Sequence, residues 1–124
     1  MTLSDTQIRL AAFWVALMLI YLLGDVLRIF SGDFTPGEMN GQPVSGGMWL
    51  LTATIMLIPI IMVVLNVAVS HPAMRWANIV VSGGFVLFNL AGLPYPGAYD
   101  NSLIVVSFIL NGLIIWQAWG PPIP

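Results

Sequence analysis

Asp25 and Arg28, an acid and a base three positions apart in an otherwise apolar stretch, are the residues of this sequence best suited to chemistry. On a helix they share one face. Counted from Arg9 at 1.5 Å per residue, Asp25 lies about 24 Å along the axis, still inside a hydrocarbon core of about 30 Å. A carboxylate at that depth is costly unless paired or hydrated, and by default it marks a proton, cation or ligand site. The plainer alternative is a structural salt bridge that lets Arg28 snorkel to the interface. Trp14, Tyr21, Asp25 and Arg28 are separated by 7, 4 and 3 positions, so they form a stripe turned toward other helices.

Three further stripes match it. Ser45, Thr52, Pro59 and Asn66 recur every seventh residue, and Pro59, which frees the carbonyl of Ile55, predicts a helix kink. Asn78, Ser82, Phe85, Asn89 and Gly92 form the next stripe, and Ser107, Asn111 and Ala118 the last. Each stripe alone reads as interhelical packing. Depth separates their members: Asn66 and Asn78 lie toward the inner leaflet, Asp25, Thr52, Asn89 and Ser107 in the outer half, and Asn111 close to the middle. The expectation is one outward-opening pocket lined by Tyr21, Asp25, Arg28, Thr52, Asn89, Ser107 and Asn111, with Tyr95 and Tyr99 at its mouth. His71, beside Pro72, reads as a solvated turn residue, and no metal or cofactor is expected.

The elements that must position these residues follow from composition. Of 124 residues, 59% are hydrophobic and 6% charged, where a soluble domain carries about 25% charged residues. The solvent is therefore lipid. Charge-free runs of 36 residues (Glu38 to Arg75), 24 (Arg75 to Asp100) and 24 (after Asp100) join the first stretch as candidate spans. The sequence predicts an all-α, antiparallel bundle of four transmembrane helices in a single membrane domain, at about 6–30, 46–69, 76–93 and 101–119. An outer loop is predicted at 31–45. Ser4 with Gln7 forms a capping box, Ser70-His71-Pro72 and Gly92-Leu93-Pro94 break helices, and Asp100 or Asn101 caps the last one. With no small-residue cleavage site after it, the first span reads as a helix rather than a cleaved signal. Gly46-Gly47 and Gly83-Gly84 mark places where helices could approach closely.

Arg9, Arg75 and Trp76 serve as topology anchors and place both termini in the cytoplasm. Three Arg and no Lys exclude nucleic acid as a partner. The absence of Cys excludes disulfides and thiolate metal sites, and the absence of Lys excludes a Schiff base.

Tyr21-x-x-x-Asp25-Val26, Ile58-Pro59-x-x-Met62-Val63, Arg75-Trp76-Ala77-Asn78-Ile79 and Ile114-Ile115-Trp116-x-Ala118-Trp119 resemble a bacterial family of small four-span membrane proteins with no assigned activity. The resemblance implies the fold and a bacterial inner membrane, and it carries no reaction. Similar proteins tend to have Glu where this chain has Leu57, which argues against a two-carboxylate proton mechanism. The basic C-terminal end expected from the family is replaced by Gly-Pro-Pro-Ile-Pro.

The function expected is a non-enzymatic helical bundle, acting as an accessory or scaffold subunit or as a binder of lipid or a small ligand. The bilayer is its first partner, with a homo-oligomer or larger membrane complex as the assembly. The alternative is a small proton- or cation-coupled transporter or channel that uses Asp25 and works as an oligomer. An enzyme has least support, since acid-base work would rest on Asp25 and a Tyr alone.

Overall fold

The computed structural model describes residues 3–33, 35–39, 41–93, 97–121 and 124. Four helices dominate: α1 (Asp5–Phe30), α2 (Gly46–Ala68), α3 (His71–Gly92) and α4 (Ala98–Trp119), with a two-stranded antiparallel hairpin, β1 (Glu38–Met39) and β2 (Gln42–Pro43), between α1 and α2. Each helix is long and apolar enough to cross a bilayer. The chain is an all-α, multi-pass membrane protein. Its outward faces carry Leu19, Leu50, Val64, Val80, Leu87 and Ile109, all well exposed, as lipid rather than water requires.

Local chemistry sets the helix ends. The Gln7 backbone N–H donates to Ser4 Oγ (3.2 Å) while the Ser4 N–H donates to Gln7 Oε1 (3.0 Å), a complete capping box. Ser45 caps α2 through the Met48 N–H at 3.2 Å. Two helices begin earlier than expected. Helix α3 starts at His71, not at 76, because Pro72 falls in its first turn, where the missing N–H has no acceptor to lose. Helix α4 starts at Ala98, not at 101, after an extended Gly97. Asp100 is therefore not its cap but a first-turn residue pointing into the bundle. The loop predicted at 31–45 holds the unforeseen hairpin, with Gly41 at φ +77° in its turn.

The bundle has a terminal end, where α1 and α3 begin and α2 and α4 finish, and a loop end opposite to it. Helix α1 packs along both α2 and α4, and α3 packs along α4. Helices α2 and α3 have little contact although a short turn joins them. Leu10, Trp14 and Leu17 of α1 form the core with Met62, Met74, Phe85, Ile114 and Ala118. The glycine pairs do not mediate close packing: a methyl group on Gly46, Gly83 or Gly84 would meet nothing within 4 Å. Gly24 is the glycine between helices, where such a group would lie 3.7 Å from both Asp100 Oδ1 and Leu103 Cδ1.

Candidate functional site

At the loop end, the side chain of Arg28 reaches across from α1 to α4. Its Nη1 donates to both oxygens of Asp100, at 3.3 and 3.2 Å, and its Nη2 donates to Oδ1 of Asp25. The i, i+3 pair expected from sequence is thus one arm of a three-residue ion cluster. The planar guanidinium fork suits this double role. The two acids differ in setting. Asp100 is 2% exposed, whereas the Asp25 side chain is 48% exposed. A carboxylate as enclosed as Asp100 persists only with an opposite charge beside it, so the α1–α4 contact at this level depends on Arg28. Gly24, one position before Asp25, leaves the room that Asp100 occupies.

One turn deeper, Asn89 Nδ2 donates to Tyr21 Oη at 2.8 Å, linking α3 to α1. The Tyr21 ring lies against Phe85, centroids 5.7 Å apart. Thr52 Oγ1 donates to its own helix at the Met48 carbonyl (3.0 Å), so it meets the space beside it without a buried donor to satisfy.

These groups surround a cavity of about 200 Å³. Tyr21, Asp25, Arg28, Thr52, Asn89 and Asp100 give it polarity, and Ile55, Met56, Phe85 and Phe88 give it apolar walls. An apolar groove continues from it between α2 and α3, lined by Ile55, Ile58, Val81, Gly84, Phe85 and Phe88. Phe88 and Gly84 are exposed, so the groove faces the surrounding lipid. The combination of a charged cluster, aromatic rings and an apolar side opening is chemically suited to an amphiphile.

Five residues of the expected pocket, Tyr21, Asp25, Arg28, Thr52 and Asn89, line this cavity. Ser107 and Asn111 do not. They are fully buried in the α3–α4 seam, where Ser107 Oγ donates to the Ile104 carbonyl (2.6 Å) and Asn111 Nδ2 to the Ser107 carbonyl (2.9 Å). Ser82 Oγ completes that seam by donating to Asn111 Oδ1 at 2.7 Å. Periodicity placed both on the inward face of α4, but that face is divided between a seam and a cavity. Tyr95 lies outside the described residues, as does Pro94. Tyr99 donates to Asp33 Oδ2 (2.6 Å) and shares a hydrogen bond with Ser31 (2.8 Å), tying the start of α4 to the turn after α1.

Sequence reasoning missed Asp100, taken for a helix cap in an outer loop. The signal was there: Asp100, Ile104, Ser107 and Asn111 continue one inward stripe once α4 starts earlier.

At the terminal end the polar groups are sealed. Asn66 and Asn78 exchange side-chain hydrogen bonds at 2.9 and 2.8 Å, each amide also donates to its own helix, and Trp14 Nε1 donates to Asn78 Oδ1 at 2.8 Å. Gln7 Nε2 donates to the carbonyls of Asn66 and Val69. Arg75, expected only as an anchor, donates to the carbonyls of Ala118, Trp119 and Gly120 and so caps α4. Trp76 is exposed and packs edge-on against Trp119 at 5.7 Å. Arg9 is exposed, and Pro59 is buried within a helix that continues through it. His71 is a correction: it is 4% exposed, not solvated, because as the first residue of α3 it packs near Arg75 and Ala118.

Comparison with family models, curated proteins and solved structures gives no match. Function is therefore inferred from the geometry of the cavity.

Proposed function

We propose that the protein is a membrane-embedded, non-enzymatic binding protein that takes an amphiphile from the surrounding lipid through the gap between α2 and α3. The observation that carries this is the cavity itself. Its polar groups gather at the loop end, its walls are apolar, and it runs into a lipid-facing groove. Arg9 and Arg75 at the terminal end support an orientation with both termini cytoplasmic, and the resemblance of the sequence supports a bacterial inner membrane. A scaffold role in a homo-oligomer or larger membrane complex is compatible with binding, since the groove would then face a neighbour as well as lipid.

The test is native mass spectrometry of the protein released from lipid nanodiscs. An amphiphile retained at about one per chain, and lost in the cavity-filling variant Met56→Trp, is the expected result. Equal occupancy in the two proteins, or none above bulk lipid in either, would overturn the proposal.

Ion-coupled transport at Asp25 is the second reading. The carboxylate excess around Arg28 favours it, and the packed layer of Trp14, Leu17 and the Asn66–Asn78 pair between the cavity and the terminal end argues against a through path. Flux into vesicles abolished by Asp25→Asn would establish it in place of simple binding.

A further inference from the structure

Resting on the amphiphile-binding reading, we propose that the occupant carries a single positive charge: an ammonium-headed amphiphile whose cation sits at Asp25 and whose tail lies in the α2–α3 groove. The charge count of the cavity comes first. Among the described residues lining it, two carboxylates, Asp25 and Asp100, face one guanidinium, Arg28. The chain has no Lys, and its other two Arg, Arg9 and Arg75, are at the far end of the bundle. At the loop end four carboxylates, Asp25, Asp33, Glu38 and Asp100, meet one guanidinium. A net negative charge at this depth, bordered by hydrocarbon, draws in a compensating cation.

The geometry shows where that cation would sit. Arg28 turns one nitrogen to both oxygens of Asp100 and the other to Oδ1 of Asp25. Asp100 is closed off. Asp25 is half-exposed in the cavity wall, and its Oδ2 makes no hydrogen bond among the described residues. The half-exposed Asp25 carboxylate is thus the anionic acceptor of the cavity wall that is not closed off. The rings of Tyr21, Phe85 and Phe88 line the same cavity, and aromatic faces attract an ammonium group when water is excluded. An anionic head group would meet the opposite situation, because the one cation present already serves two carboxylates. A neutral head group could take a hydrogen bond at Asp25 but would leave the charge uncompensated.

Three probes with one chain length separate the cases: dodecyltrimethylammonium, dodecanol and dodecyl sulfate, titrated against the protein in zwitterionic nanodiscs with empty nanodiscs as blank. The expected order is saturable binding of the ammonium about tenfold or more tighter than dodecanol, and no saturable binding of the sulfate. In Asp25→Asn the ammonium-to-dodecanol affinity ratio falls to near one. If that variant does not fold, the ranking on the unmodified protein decides. Equal binding of ammonium and dodecanol, or a preference for the sulfate, would overturn the cationic ligand while leaving amphiphile binding intact. No saturable binding of any of the three would overturn the amphiphile reading itself.

Discussion

The two ends of the bundle use the same kinds of residue to opposite effect. At the terminal end, Asn66, Asn78, Trp14, Gln7 and Arg75 bond to one another and to the carbonyls at the ends of α2 and α4. At the loop end, Arg28, Asp25, Asp100, Tyr21 and Asn89 also bond among themselves, but around a cavity. The difference lies in the connections. The turn at Val69 and Ser70 holds α2 against α3 at one end, whereas at the other α2 is reached from α1 through the hairpin segment and makes no hydrogen bond to α3 among the described residues. Polar residues at helical spacing therefore become glue where helices are clamped and a lining where they are not.

If that contrast is right, substitutions at the sealed end should cost stability and those at Asp25 should not. The largest effect is expected for Asn78→Leu, which strands the Trp14 N–H and the Asn66 Oδ1; each buried orphan costs about 1–3 kcal/mol. Reversible unfolding in mixed micelles should show a loss of about 3 kcal/mol, and a loss below about 1 kcal/mol would mean the network is wet. Next comes Asp100→Asn, expected to cost about 2 kcal/mol by weakening an enclosed ion pair; an effect no larger than that of Asp25→Asn would erase the distinction between the two acids. Arg75→Gln, which removes the cap of α4, should cost about 1 kcal/mol and raise amide exchange in its last turn. The smallest change is expected for Asp25→Asn, within about 1 kcal/mol because the side chain is half-exposed, measured by the same unfolding transition.

Much of this fold was legible in the sequence because its strongest signals are local. Charge-free runs located three of the four helices, and the capping box of Ser4 with Gln7 marked the start of the first. Helix starts at His71 and Ala98 were harder, since Pro and Gly read as breakers although each is favoured just inside or before a first turn. The hairpin went unread because its two-residue strands have no alternating apolar pattern to draw attention to them, although Gly41 stands in its turn. Within the site, the stripes identified which side chains face inward. They could not say whether an inward face meets a neighbour or a void, so Ser107 and Asn111 went with the wrong group. Asp100 escaped because its role depends on a partner 72 residues away, a contact that periodicity does not encode.

The side opening between α2 and α3 has a kinetic consequence. Thr52, Asn89, Asp25, Arg28 and Asp100 lie toward the loop end, while Ile58 and Val81 of the groove lie deeper along the same two helices. An occupant would stand as a lipid stands in that leaflet, head outward and tail toward the midplane. It could therefore exchange by sliding sideways, without flipping and without carrying its head group through hydrocarbon. The slow step would then be displacement of acyl chains at the gap, which makes membrane fluidity the natural control of its residence time.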